Sequence, residues 1–162
     1  MKFKDIPQFS IASYTVSVPF SHLKTYLERF EDDFTPLEMN PPYQRGYVWD
    51  VSKQIAFLEY FFKGGISGRD IYWNCPSWMM GFKDPIEIVD GKQRIKASLD
   101  FINNEIPIYG TYFKDFEDHP RTLGHYFTFH VNNLKNPIDV VDWYIGMNTG
   151  GTYHSPEDLG NL

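Results

Sequence analysis

The chain is short of the residues that build several common kinds of site. A single cysteine, Cys75, excludes an internal disulfide and a cysteine-rich zinc site. No apolar run reaches the roughly 18 residues of a membrane span, and the first residues, MKFKDIPQF, lack a signal-peptide core. The five histidines show neither metal-ligand spacing nor a nuclease motif; they are His22, His119, His125, His130 and His154. These absences predict a soluble intracellular protein without a membrane partner.

An excess of basic residues is also missing. The net charge is −6, whereas a domain that binds duplex DNA without sequence preference usually carries a basic surplus. The one dense basic group is formed by Lys92, Arg94 and Lys96. Any DNA binding is therefore predicted to be weak or local.

The residues that are abundant favour one folded domain. The chain has 162 residues, of which 42% are hydrophobic and 18% aromatic, so we expect a single domain over 1–162 with an aromatic core. Apolar spacing predicts helices over residues 18–30, 51–62, 92–103 and 137–147, and strands over 37–40, 71–73, 86–89, 106–109 and 126–131. Ser21, Asp50 and Asn136 are the predicted N-terminal caps, and Ser155 announces a further helix. The mixed order of elements indicates an α+β or α/β class.

The stretch D90-G-K-Q-R94 is a predicted strand-to-helix turn with an unusual polar cluster. Gly91 permits a positive φ or the close approach of a ligand, and the helix that follows offers free N–H groups to an anion. Arg94 suits phosphate, and Asp90 suits a magnesium ion or a water molecule. A plain βα turn, with Asp90 as a cap and Arg94 in a surface ion pair, explains the same letters.

Two further stretches are rich in residues that can contact a ligand. The segment P42-Y-Q-R-G-Y-V-W49 can stack a base and hold a phosphate, or its aromatics can simply fill the core. The segment N148-T-G-G151 lets the backbone approach a ligand, or it is an ordinary helix C-terminus. Taken singly, each stretch favours the structural interpretation.

Together and in this order, the three stretches resemble the N-terminal domain of the GmrSD-type modification-dependent restriction endonucleases. The family signature is a Y-Q-R-x-Y-x-W loop, then DGQQR between a strand and a helix, then N-T-G-G. The resemblance extends from about Leu23 to Leu159. It implies an α+β fold of the ParB/sulfiredoxin-like superfamily, with a small mixed sheet and flanking helices. The chain resembles a stand-alone version of the domain, because the HNH-type nuclease of such systems has no counterpart in it.

The resemblance also implies a nucleotide site. Asp90, Gln93 and Arg94 carry over as the catalytic residues, and Asp90 also as the ligand of a Mg²⁺ ion that accompanies the nucleoside triphosphate. The implied nucleotide-binding residues are Tyr43, Gln44, Arg45, Trp49, Gly91, Lys92, Asn148, Thr149 and Gly150. Lys92 departs from the family glutamine. A lysine at a helix N-terminus favours anion binding and alters the hydrolytic geometry, so the prediction is binding first and hydrolysis second.

Three functions follow as hypotheses. The first is a nucleoside-triphosphate-binding and hydrolysing enzyme that acts in or against a restriction or antiphage system. The second is a non-catalytic regulatory or inhibitory module, phage-encoded in one version, that works through a protein partner. The third is a ParB-like DNA-binding protein or nuclease, for which the basic surface is too sparse. All three would operate in the cytoplasm of a bacterial cell or a phage-infected one.

Overall fold

A five-stranded mixed sheet with helices on both faces forms the centre of the molecule. The structure is a computed structural model that describes residues 1–6, 14–33, 36–81 and 83–149. The strands are β1 (Tyr14–Pro19), β2 (Leu37–Glu38), β3 (Asp70–Asn74), β4 (Ile86–Asp90) and β5 (Tyr126–Asn132). The helices are α1 (Leu23–Asp33), α2 (Val51–Phe62), α3 (Lys92–Ile102) and α4 (Pro137–Thr149). Short 3₁₀ turns lie at Phe3–Asp5, Phe20–His22, Phe113–Asp115 and Pro120–Leu123.

The strand order is β1-β5-β3-β4-β2. β1 is antiparallel to β5, β5 is parallel to β3, β3 is antiparallel to β4, and the short β2 is parallel to β4. Between Tyr72 and Trp73 the register of β3 on β4 shifts, so that Tyr72 lies opposite Asp90 while Trp73 lies opposite Ile88. The irregularity is at the carboxyl end of β4, where the strand passes into the turn before α3, and such shifts often redirect side chains.

Alternation along the strands divides the apolar side chains between two cores. Ile71 and Trp73 of β3, with Phe127 and Phe129 of β5, face the larger core, which α1, α2 and α3 cover. This core is largely aromatic: the rings of Phe61 and Phe127 stack at 4.8 Å. On the opposite face, a smaller cluster joins β4 to α4 and consists of Val89, Val140 and Trp143. The sheet therefore lies between three helices and one.

Local signals in the sequence placed several helix ends correctly. Asp50 caps α2, since its Oδ1 accepts a hydrogen bond from the Lys53 N–H at 2.8 Å. Asn136 precedes α4, and its Oδ1 accepts a hydrogen bond from the Ile138 N–H at 3.2 Å. Helix α3 begins at Lys92, as predicted from the Asp-Gly turn.

Two predicted elements are wrong. The helix expected from residue 18 begins only at Leu23, because Val16 and Val18 alternate toward the core as part of β1, and Ser21 is not its cap. The strand expected over 106–109 is a turn with one isolated bridge between Ile108 and Thr111. There the backbone adopts positive φ at the two residues between them, which is typical of a tight turn.

The helix announced by Ser155 lies outside the described residues. Among the helices that the structure describes, none has the length and apolar character needed to cross a membrane.

Candidate functional site

The turn from β4 into α3 has a backbone that only glycine supports well. Gly91 has φ +107° and is the residue that precedes the first turn of α3. A Cβ at this position would lie 2.5 Å from Cδ1 of the buried Ile71. Gly91 also provides no side chain to cap the helix, so the N–H groups of the first turn of α3 remain available to an external acceptor.

Asp90 and Arg94 form an ion pair across this turn. The Arg94 Nη2 donates to the Asp90 Oδ2 at 2.5 Å, and the Asp90 carboxylate is 41% exposed while the Arg94 side chain is 18% exposed. The pair therefore joins the last residue of β4 to the first turn of α3. An incoming phosphate would therefore meet an arginine that is already oriented by its carboxylate neighbour.

Two glutamines fasten the loop over residues 41–49 to the strand-turn-helix unit. The Gln44 Nε2 donates to the carbonyl oxygens of Ile88 and Val89 at 2.5 and 2.8 Å. The Gln93 Oε1 accepts the backbone N–H groups of Val48 and Trp49, at 3.2 and 3.3 Å. The Gln93 Nε2 also donates to the carbonyl oxygen of Gly46 at 3.0 Å. Both glutamines thus position the loop, and Gln93 bonds backbone groups through its oxygen and one of its two N–H groups.

The anchoring role of Gln93 gives a direct prediction. In Gln93→Ala, the Val48 and Trp49 amides lose their acceptor, so we expect their hydrogen exchange to accelerate by about tenfold or more. Hydrogen exchange followed by NMR measures this, and the Cys75 amide, bonded to the Asn132 carbonyl at 2.9 Å, is the internal control. Unchanged exchange at both loop amides would show that the loop is held by other contacts.

Lys92, the first residue of α3, is a buried cation. It is 5% exposed, and its Nζ has no hydrogen-bond partner. The ring centroid of Tyr47 lies 5.6 Å from the Nζ. Burial lowers the pKa of Lys92 and the nearby Arg45 charge lowers it further, while Glu38 opposes both effects. A buried charge without a hydrogen-bonding partner is costly, and a negative charge beside it would offset that cost.

These residues surround a cavity of about 280 Å³. Its lining residues are Gln44, Arg45, Trp49, Asp90, Gly91, Lys92, Gln93, Arg94, Tyr144 and Asn148. The cavity is therefore lined by three segments that are distant in sequence: the loop, the turn before α3, and α4. All of these residues except Tyr144 were singled out from the sequence.

Of the predicted residues, Tyr43 does not line the cavity, and the side chain of Thr149 and the whole of Gly150 cannot be placed relative to it. Tyr43 lies behind it, with its ring 5.3 Å from that of Tyr144; burial, then the charge of Glu87, raises the pKa of the Tyr43 phenol well above its ordinary range. Thr149 is the last residue of α4, and Gly150 lies outside the described residues.

Tyr144 is a lining residue that the sequence reasoning missed. It precedes Asn148 by one helical turn, and its carbonyl oxygen accepts a hydrogen bond from the Asn148 Nδ2 at 2.8 Å. Because residues four apart share a helix face, the i−4 neighbour of Asn148 could have been named from the sequence.

Among the described residues that line the cavity, only Asp90 has a carboxylate. Within the described residues, no group of three or more histidine, cysteine, aspartate or glutamate side chains could hold a metal ion. This donor set does not fit a metal held by protein alone. It fits Mg²⁺ that arrives with a polyphosphate, since Mg²⁺ is commonly bound by one or two carboxylates together with substrate phosphates and waters.

The fold and the cavity define an α+β domain with a positively charged site at the carboxyl end of a strand and the start of a helix. The model of the GmrSD restriction endonuclease N-terminal domain matches residues 23–161. The chain therefore belongs to the GmrSD restriction endonuclease N-terminal domain family. Domains of this family have a ParB-like fold, and membership indicates involvement in restriction-type systems. Neither a curated protein nor a solved structure matches the chain.

Proposed function

We propose that the protein binds a nucleoside triphosphate in this cavity and cleaves its phosphoanhydride bond, within or against a restriction system. The observation that carries the proposal is the Lys92 ammonium, buried without a hydrogen-bond partner beside Arg45 and the uncapped start of α3. In a chain of net charge −6, such a local concentration of cations favours a compact, highly charged anion.

The four charged residues that line the cavity each have a role that their positions support. The N–H groups at the start of α3 and the guanidinium of Arg45 would hold the phosphates, and Lys92 would add positive charge behind them. Arg94, oriented by Asp90, would neutralise the charge that develops as the bond breaks. Asp90 would hold the Mg²⁺ ion that accompanies the nucleotide, and such an ion would supply positive charge to the phosphates.

Phosphate release tests the proposal. Asp90→Ala and Arg94→Ala should each reduce the rate of phosphate release from a Mg²⁺–nucleoside triphosphate by roughly a hundredfold, because removing one well-placed charge or donor typically has this effect. Asp70→Ala is a matched control: it removes a carboxylate that is hydrogen-bonded to the His130 Nε2 at 2.7 Å and does not line the cavity. Equal rates from the wild type and both cavity variants would refute hydrolysis at this site.

Nucleotide binding without release of phosphate by the wild type would separate the two parts of the proposal. It would support the non-catalytic regulatory module, which acts through a protein partner of a restriction or antiphage system.

A further inference from the structure

We propose that the cavity recognises the polyphosphate chain of its ligand rather than the nucleobase, and that Lys92 is the residue that sets affinity. Inorganic triphosphate would then be a full ligand. This inference rests on the proposed anion-binding function and specifies its ligand class.

The first argument concerns the side chains that usually read a base edge. Each of the three amide side chains that line the cavity donates its NH₂ group to a backbone carbonyl. Gln44 donates to Ile88 and Val89, Gln93 donates to Gly46, and Asn148 donates to Tyr144. The Gln93 oxygen is committed as well, because it accepts two backbone N–H groups of the loop. These amides support the walls of the cavity: the Gln44 NH₂ group makes two hydrogen bonds to the backbone, and the NH₂ groups of Gln93 and Asn148 make one each.

The second argument concerns the aromatic residues that line the cavity. The ring of Trp49 packs against that of Phe57, with centroids 5.5 Å apart. The ring of Tyr144 packs against that of Tyr43 at 5.3 Å. Both rings thus contribute to the packing of the protein itself. Selective recognition of one base requires hydrogen bonds to its edge, because stacking is tolerant of base identity.

The third argument concerns charge. Lys92 is buried, has no hydrogen-bonding partner at its Nζ, and lies beside the uncapped first turn of α3. Arg45, which is exposed, lies close enough to lower the pKa of Lys92. These two cations and the helix N-terminus attract negative charge whatever organic group is attached to it.

Calorimetric titration of the whole chain at fixed Mg²⁺ and ionic strength tests the ligand class. The ligands are ATP, GTP, CTP, UTP and inorganic triphosphate, with AMP as the low-charge comparison. We expect the dissociation constants of the four nucleoside triphosphates and of inorganic triphosphate to agree within about threefold. AMP should bind at least about tenfold more weakly. A single nucleotide that binds more than about tenfold more tightly than inorganic triphosphate would overturn the inference and leave the proposed function standing. Absence of binding by every ligand would refute both.

A pair of variants tests the role of Lys92. Lys92→Gln should weaken every triphosphate by about tenfold, which is about 1.4 kcal/mol, without changing their order. Lys96→Gln removes the same charge one helical turn later. The Lys96 Nζ also lies near the Tyr47 ring, 5.5 Å from its centroid, but it is paired with Asp100. It should change affinity by less than about twofold, because that charge is already compensated. Equal losses in both variants, or a loss confined to one base, would contradict a specific role for Lys92.

Discussion

Gly91→Ala is expected to lower the free energy of unfolding by about 2–5 kcal/mol and to abolish anion binding. The backbone of Gly91 has φ +107°, a conformation that costs an L-residue about 1–2 kcal/mol. The new Cβ would also lie 2.5 Å from Cδ1 and 3.3 Å from Cγ2 of Ile71, a fully buried residue of β3. Relief of that overlap requires movement of the core or of the helix start, and such overpacking typically costs about 1–3 kcal/mol.

Gly110→Ala separates the two contributions. Gly110 also has a positive φ, +74°, but a Cβ at this position would have no heavy atom within 4 Å. This variant should therefore lose only the backbone part, about 1–2 kcal/mol. Urea unfolding measures both variants, and the same loss in each would show that the contact with Ile71 is easily relieved. Binding should survive in Gly110→Ala, because Gly110 is not among the residues that line the cavity.

Lys92→Met is expected to raise the stability of the ligand-free protein by about 1–3 kcal/mol while it weakens anion binding. Replacement of a buried charged group by an apolar one of similar volume is often stabilising, because the desolvation cost disappears. Lys92 has the features of such a group: it is 5% exposed and its Nζ lacks a hydrogen-bond partner. Thermal and urea unfolding of the ligand-free chain measure the gain.

Lys96→Met is the matched control and should have the opposite sign. The Lys96 Nζ lies 2.8 and 2.7 Å from the two carboxylate oxygens of Asp100, which is 8% exposed. Removal of the lysine leaves that buried carboxylate without its ion-pair partner, so we expect a destabilisation of about 1–3 kcal/mol. If both methionine variants shifted stability in the same direction, the difference in pairing would not be what controls their energies.

Because the pKa of Lys92 is lowered in the folded protein, the difference in stability between the wild type and Lys92→Met should depend on pH. Below the folded-state pKa, Lys92 is charged in both states and the folded protein bears the full cost of burial. As the pH rises toward the ordinary value of 10.5, the folded protein loses this proton before the unfolded chain does, and the cost is relieved. Stability of the wild type relative to Lys92→Met should therefore rise with pH across that window. Urea titrations of both proteins between about pH 7 and 10 measure the difference, and a constant difference would contradict a burial cost at Lys92.

The sequence was most informative where the physical cause is local. Asp50 begins α2 through a bond to an N–H three residues away, and Gly91 allows the turn into α3 through its own φ. The spacing of Leu23, Leu27 and Phe30 identified the buried side of α1, although not its start. The start was missed because residues 14–19 pair with β5, more than a hundred residues later, and that pairing decides their conformation.

By itself, the sequence determined which segments contribute to the cavity, because the loop, the Asp-Gly turn and the end of α4 each have a recognisable local pattern. Only the tertiary structure decided what the individual side chains do. Gln44 and Gln93 are committed to backbone groups 44–47 residues away. Tyr144 is brought to the cavity by the packing of α4 on β4, and Lys92 is buried under the same loop that Gln93 holds. Burial and long-range hydrogen bonds depend on which distant segments meet. A glutamine that resembles a ligand-binding residue therefore becomes a support, and the lysine expected to bind an anion is a buried cation without a hydrogen-bond partner.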